Sequence, residues 1–421
     1  MGDVEQLDTA KKKRPRLKKS VPANGADRPS ETADQRVTMA LPDVNNGKPK
    51  ATIENLDALL KFHGISVRYN VISKRYDITV PGEDYSPDNA DNSKLARIIS
   101  RAMEIGMPAT QIKSYVEFIG DKNQINPGMD WVLSKPWDGQ ADYIAQLCDT
   151  ITAKDERAKN LFIRRWLITA VCMLINNGLD SACCLVLQGG QGIGKTWWFR
   201  KLCPIPGLIR TGASVDPRNR DSISQIIRYW IVELGEIGST FLRSDIDSLK
   251  AFITSDMDII RRPYSMVDQT YPRRTALAAS VNEFTFLYDP TGNRRYLTVE
   301  CLSVDSYHNV DMQQVFAQVY DLICQGETHM LSDEEKLLVD TINKEHAQID
   351  PIKEMILEYY MFGSGMEGSE LSCTSIAKDI GIKNITQKET RIIASIMREL
   401  KVTSRIKDGV NIYSMPVKRQ T

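Results

Sequence analysis

Apolar positions change their spacing several times along the chain, and each change marks a different kind of segment. From Met1 to Lys50 no apolar period is visible, and Pro, Asp and Asn are frequent, as in a tail that cannot bury enough surface to fold. From Ile53 the spacing becomes helical in "IENLDALLKF", then alternates in "ISVRYNV" and "RYDITV", two strands meeting at a turn near Ser73 and Lys74. The helical stretches "SKLARIISRAMEIG" and "TQIKSYVEFIGDKN" complete a small α+β segment at 51–125. "NPGMDWVLSKPWDG" reads as a Pro/Gly-punctuated linker, and helical patterns then fill 141–177.

Beyond the linker, "ACCLVLQ" is a short apolar run bounded by turn signals, as a parallel strand covered on both faces would be. "YWIVELGE" and "TALAASVN" are two more strand-like runs, which places an α/β core at 126–335. The last segment, 350–416, differs. Asp350-Pro351 is a cap and first-turn pair for "IKEMILEYYM", and "TSIAKDIG" is a short helix ended by Gly381. "TQKETRIIASIMREL" gathers Ile392, Ile393, Ile396, Met397 and Leu400 on one face, and "TSRIKDGVNIYSM" turns at Asp408-Gly409. Three helices and a hairpin predict a winged helix-turn-helix. Lys388, Arg391 and Arg398 fall on the open side of its third helix, with Arg405 and Lys407 on the wing. Such a domain serves either DNA or a protein contact.

Composition narrows the class without choosing a function. The chain has 421 residues, 42% hydrophobic and 26% charged, with a formal net charge of zero, so a nucleic-acid site has to be a local patch. The apolar run "WLITAVCMLI" is too short to span a bilayer, and no membrane partner is expected. Eight cysteines without CxxC pairs and four distant histidines give neither a zinc site nor a disulfide framework, which suits a reducing cytoplasm. One local patch stands out. "KKKRPRLKK", Lys11 to Lys19, is a phosphate-binding arm, a nuclear import signal or a solvated tail.

The chemistry centres on "GGQGIGKT". Gly189, Gly194, Lys195 and Thr196 satisfy the phosphate-loop pattern, with Gly190, Gln191, Gly192 and Ile193 between them. Glycines allow a tight loop whose backbone N–H groups point at phosphates, Lys195 reaches the outer phosphates, and the Thr196 hydroxyl meets Mg²⁺. ATP and Mg²⁺ are the expected cofactors. Glu233 near the end of its strand can hold the metal's water shell, and Glu236 can orient an attacking water; otherwise both are surface acids. Asn282, at a strand tip, can position that water, and the adjacent Arg294 and Arg295 can neutralise the transferred phosphoryl group, in cis or from a neighbouring subunit; taken singly, they read as a strand-end cap and a surface pair. In "IIRRPYSMVDQTYPRR", Arg261/Arg262 and Arg273/Arg274 each sit beside Tyr and Pro around a polar tip. Cations with aromatics suit single-stranded DNA, and a purely structural hairpin is the alternative.

These motifs, with "LKAFIT", "RRPYS", "SVNEFTFLYDPTGNRRYL" and the upstream "WDG" and "RRWLITAV", resemble the virulence-associated protein E family over about 126–299. The resemblance implies helicase-type ATPases of phages and mobile elements, AAA+ proteins related to superfamily 3 helicases. It further implies a hexameric ring moving on DNA in replication, alongside a separate primase or other replication proteins. It gives Gly189 to Thr196 the Walker A role and Glu233 the Walker B role, makes Glu236 the base and Asn282 sensor 1, and offers Arg294 or Arg295 as finger. The two glutamates are separated by Leu234 and Gly235, unlike the adjacent acid pair of most AAA+ proteins. An ATP-dependent DNA-binding switch without unwinding is the competing reading, and a small-molecule kinase a third.

Overall fold

The computed structural model describes residues 39–175, 179, 182–235, 246–260, 269–287, 293–348, 350–362 and 367–419. The basic run Lys11–Lys19, Glu236, Arg261 and Arg262 lie outside them.

The tail expected over 1–50 ends earlier than its composition suggests. Val44–Asn45 pairs antiparallel with Lys48–Pro49, the Asn55 side chain donates to the Asp43 and Lys50 carbonyls, and Met39 packs on the N-terminal core. From Ile53 the unit follows its spacing closely. Helix α1 (Ile53–Phe62) begins where the Thr52 hydroxyl accepts from the Asn55 N–H, and its Leu56, Leu59 and Leu60 are buried on one face. Strands β1 (Ser66–Asn70) and β2 (Arg75–Thr79) pair antiparallel around a turn in which Lys74 adopts φ 57°. Helices α2 (Ala90–Glu104) and α3 (Ile112–Lys122) close this small core, and β3 (Gln124–Ile125) joins β1 in parallel. The turn of the hairpin is driven elsewhere. Ile72, 1% exposed, packs into the main core and pins the unit to the rest of the molecule.

The segment expected as a plain linker contains a helix instead, α4 (Pro127–Val132). Asn126 caps it by accepting from the Met129 N–H, Pro127 occupies the first turn, and Trp131 and Val132 pack into the main core. Asn-Pro is therefore a helix start here, because apolar side chains follow at the right spacing.

Helix α5 (Tyr143–Cys148), strand β4 (Ile151–Ala153) and helix α6 (Glu156–Ile175) lead into the main sheet. In chain order there follow β5 (Cys184–Gln188), α7 (Lys195–Lys201), β6 (Ile209–Ala213), α8 (Arg220–Ile226) and β7 (Ile231–Gly235). Helix α9 (Ile246–Thr254) precedes an antiparallel ribbon, β8 (Met257–Ile260) with β9 (Gln269–Pro272). Then come β10 (Ala276–Val281), β11 (Tyr296–Val304), α10 (Met312–Cys324) and α11 (Asp333–Glu345).

Six strands form one mixed sheet in the order β4-β11-β5-β10-β7-β6, parallel throughout except where β4 runs against β11. Both faces are covered, which explains the unbroken apolar runs. Leu185 and Leu187 of β5 meet the α6 side, whereas Cys184 and Val186 meet the side carrying α8 and α9. Helix α6 is buried along most of its length, and its Trp166 indole N–H donates to the Leu277 carbonyl on β10. Burying that indole is cheap because its one donor is satisfied.

After the sheet come α12 (Pro351–Tyr359), β12 (Glu367–Ser372), α13 (Cys373–Asp379), α14 (Gln387–Glu399), β13 (Ser404–Lys407) and β14 (Val410–Pro416). The sheet order is β12-β14-β13, and Asp408 and Gly409 at φ 50° and 75° make the two-residue turn between β13 and β14. Ile393, Ile396 and Met397 of α14 enter a separate core, flanked by the half-buried Ile392 and Leu400. Among the described residues no helix is long and apolar enough to cross a membrane.

Candidate nucleotide site and nucleic-acid surfaces

The strand order decides which side chains can meet. β10 lies between β5 and β7, and all three run parallel, so the ends of the three strands share one edge of the sheet. The glycine loop follows β5, Glu233 sits on β7, and Asn282 directly follows β10.

Two glycines of the loop are required by geometry. A Cβ on Gly189 would stand 2.5 Å from the Cys301 carbonyl oxygen of β11, so only glycine lets the neighbouring backbone close in. Gly194 adopts φ 101°, and a Cβ there would lie 2.9 Å from the Ser306 hydroxyl. The loop is thereby held against the segment that continues β11.

Lys195 begins α7 and is 5% exposed. Its ammonium donates to the carbonyls of Gly189 (2.7 Å) and Gly190 (2.8 Å) and to Asn282 Oδ1 (3.0 Å). Burial pushes its pKa below the usual lysine range, while Glu233 and Glu283 pull it back from a distance. No carboxylate is bonded to it in these contacts, so an anion entering here meets a cation held only by neutral oxygens. The Thr196 hydroxyl donates to Glu233 Oε1 at 3.3 Å. Glu233 is fully buried, and its Oε2 accepts the Gly212 N–H at 2.6 Å.

The structure thus brings Lys195, Thr196, Glu233 and Asn282 together at one edge. Two members were missed by sequence reasoning. Gly212 on β6 orients the acid, and Ser280 lies 3.5 Å from the Thr196 hydroxyl. The only signal for Gly212 is a glycine within "IRTGA", a run too polar to stand out as a strand.

Arg294 and Arg295 are placed differently. They precede β11, whose Tyr296 is level with Cys184 and whose Glu300 is level with Gln188. The arginines therefore stand at the opposite edge of the sheet from the glycine loop, separated by more than the length of β5, which alone is four strand steps or roughly 13 Å. They line a cavity of about 580 Å³ with Cys183, Thr254 and Lys336. Arg294 is exposed and Arg295 half-buried. Action in cis on this subunit's own loop does not fit that separation.

The ribbon β8–β9 occupies the interval expected to hold a DNA hairpin, but Arg273 does not face outward. It is 1% exposed, its guanidinium forks onto both Asp258 oxygens and onto the Phe252 carbonyl, and it lies 4.1 Å from the Phe252 ring centre. The expectation that Arg273 contacts DNA is corrected on this ground, since its donors are spent inside the fold. Arg274 is half-buried and donates to the Leu174 carbonyl at 2.7 Å, at the base of the ribbon and not at its tip. It too is a tie between elements. Lys388, Arg391, Arg398, Arg405 and Lys407 are all exposed, with Arg405 ion-paired to Glu370 of β12.

The model of the virulence-associated protein E-like domain matches residues 132–348, just over half of the chain. The chain belongs to that family. Among solved structures it is similar to the apo structure of the NrS-1 C-terminal region, at 14% identity and a TM-score of 0.47, covering 86% of this chain and 98% of that one. A second apo form of the same region gives 14% identity and 0.44 over the same shares. No curated protein sequence matches.

Proposed function

We propose that the chain is a P-loop ATPase of AAA+ type that assembles into a ring, hexameric by family resemblance, and moves on single-stranded DNA during replication of a phage or mobile element. The observation that carries this reading is the pair of bonds, Lys195 to Asn282 and Thr196 to Glu233, at one sheet edge. Lys195 would exchange its carbonyl partners for the outer phosphates, which its lack of a bonded carboxylate favours. A hydroxyl and a carboxylate 3.3 Å apart suit a hard cation that keeps most of its waters, so Thr196 and Glu233 would hold Mg²⁺. Held there, the ion would supply charge neutralisation to the phosphates. Asn282 would position the attacking water, with Glu236 as the proposed base.

The separation of Arg294 and Arg295 from their own loop supports a site shared between copies, where one copy's arginine meets its neighbour's phosphates. The segment 350–416 has the helix and hairpin order of a winged helix, and its exposed Lys388, Arg391 and Arg398 would dock duplex DNA. The decisive experiment measures Mg²⁺-dependent phosphate release from ATP with and without single-stranded DNA, and strand displacement on a forked duplex. Lys195→Ala should abolish both while keeping the fold. Hydrolysis without displacement would favour a DNA-binding switch, and undiminished turnover in Lys195→Ala would remove the site altogether.

A further inference from the structure

The chain leaving β11 turns at 305–308, and this turn is fastened to the start of α7 from several sides. The Asp305 N–H donates to the Thr150 carbonyl at 2.7 Å, and the Thr150 hydroxyl accepts the Trp198 indole N–H of α7 at 2.8 Å. Ser306 is buried, and it is the residue that a Cβ on Gly194 would strike. The Tyr307 N–H donates to Asp305 Oδ1 at 3.0 Å, and the Lys201 ammonium at the end of α7 donates to the His308 carbonyl at 2.6 Å. His308 is buried too. Burial, with the Lys201 charge beside it, holds its imidazole below the usual range, so the ring packs as a neutral anchor.

Tyr307 breaks this pattern. Its side chain is 81% exposed, the highest value among the large apolar and aromatic side chains of the described residues, and it bonds to none of them. A ring held out on an anchored turn loses little freedom when a flat group stacks on it. Trp197, on the first turn of α7, is also exposed, but the Arg200 guanidinium already lies 4.5 Å from its ring centre. The position of Tyr307 names the occupant. Ser306 adjoins Gly194, and Tyr307 stands one residue further, about 3.8 Å along the chain. In the proposed site Lys195, Thr196 and Glu233 take the phosphates and the metal, and none of them offers a flat surface to the base. A nucleotide anchored by its phosphates in the loop keeps its base within reach of a ring this close.

We propose that the Tyr307 ring is the platform on which the base of the bound nucleotide stacks, while the glycine loop takes the phosphates. The inference rests on the reading of that loop as a nucleotide site. The test is calorimetric titration of the wild type, Tyr307→Ala and Tyr307→Phe with a non-hydrolysable ATP analogue and, separately, with inorganic tripolyphosphate, both in Mg²⁺. Tyr307→Ala should weaken the analogue by roughly fivefold to a hundredfold, the span expected for losing one base–aromatic stack. Tyr307→Phe keeps the ring and should keep wild-type affinity. Tripolyphosphate has no base, so all three proteins should bind it equally. The unfolding midpoints should match, because the side chain lies outside every core. If Tyr307→Ala binds the analogue as the wild type does, the base sits elsewhere and the proposal falls alone. If it weakens the analogue and tripolyphosphate alike, Tyr307 props the loop and holds no base, and the proposal falls again. If the wild type binds neither, the nucleotide reading falls with it.

Discussion

Two arginine pairs in this chain look alike in sequence and are unlike in place. "YPRRT" and "GNRRY" each put two arginines just before a strand. In the first, Arg273 is locked to Asp258 inside the fold and Arg274 ties the ribbon base to the end of α6. In the second, Arg294 and Arg295 border an open cavity whose described lining contains no carboxylate. The difference is one of partners fifteen residues away. Asp258 sits on β8 between apolar neighbours, and the antiparallel ribbon brings it to Arg273. No acid of the described lining faces Arg294 in the same way. A cation forked onto a buried acid, as Arg273 is, belongs to the structure, whereas the exposed Arg294 at a cavity rim is placed to meet a ligand.

The largest effect expected from this contrast is kinetic. Arg294→Ala should reduce ATP turnover by about 10³ to 10⁵, the usual contribution of an arginine finger, with little change in nucleotide affinity or unfolding midpoint. Because Arg294 and the loop lie at opposite sheet edges, mixing Arg294→Ala with Lys195→Ala should restore part of the activity. Phosphate release from the mixture measures this. If the subunits exchange and no activity returns, the two pairs are not different in kind.

The second effect is thermodynamic and belongs to the first pair. Arg273→Ala leaves Asp258, 6% exposed, as an uncompensated buried charge and should cost about 3–5 kcal/mol of stability. Arg273→Met together with Asp258→Leu removes both charges and should recover most of that loss. Urea denaturation of the two variants decides it. Equal losses would mean that the ribbon depends on the guanidinium's other bond, to the Phe252 carbonyl, more than on the ion pair.

What could be read from the sequence divides along the same physical line. The central strands β5, β7 and β10 were legible because burial on both faces forces continuous apolar runs. The glycine loop, Lys195, Thr196 and the positions of Glu233 and Asn282 were legible because their chemistry is carried by local spacing. Strand β6, with its half-buried "IRTGA", and the three-residue β4 gave no such signal, so Gly212's hold on Glu233 was hidden. The α4 helix was hidden behind Asn-Pro-Gly, which signals a turn until the packing of the half-buried Trp131 and the buried Val132 on the main core is known. The role of Arg273 was out of reach for the same reason. Its partner is set by ribbon register, a non-local quantity.

A third arginine pair, Arg164/Arg165 on α6, sharpens the rule at intermediate burial. Arg164 forks onto Glu327 at 2.8 and 2.6 Å, and Arg165 reaches Glu335 at 2.7 Å. The hydrogen bonds from Arg164 hold the Glu327 carboxyl below the usual range, burial opposing them. A depressed carboxylate stabilises the fold above its unfolded pKa and loses that contribution as pH falls through its folded one. The pair should therefore be fully effective at neutral pH and fade below about pH 4. Glu327→Gln should cost about 1 kcal/mol at pH 7, discounted for its partial exposure, and less at pH 3. A pH-independent loss in thermal melts would assign Glu327 to packing.

The smallest effect should come from Arg274, although it sits beside the residue with the largest structural one. Its guanidinium donates to the Leu174 carbonyl, but that oxygen also accepts the Asn126 amide at 2.8 Å. Removing Arg274 thus does not orphan that acceptor, and the cost of a missing partner does not arise there. Arg274→Ala should lose about 1 kcal/mol or less in urea, with an unchanged m-value, and Arg274→Met, which keeps most of the packed stem, less still. Burial depresses the Arg274 pKa, so part of what its bonds return is already offset by desolvation of the charge. Should Arg274→Ala instead match Arg273→Ala, the ribbon and α6 would be one cooperative unit. Should it weaken single-strand binding with no loss of stability, Arg274 would join Arg294 among the cations left for a ligand.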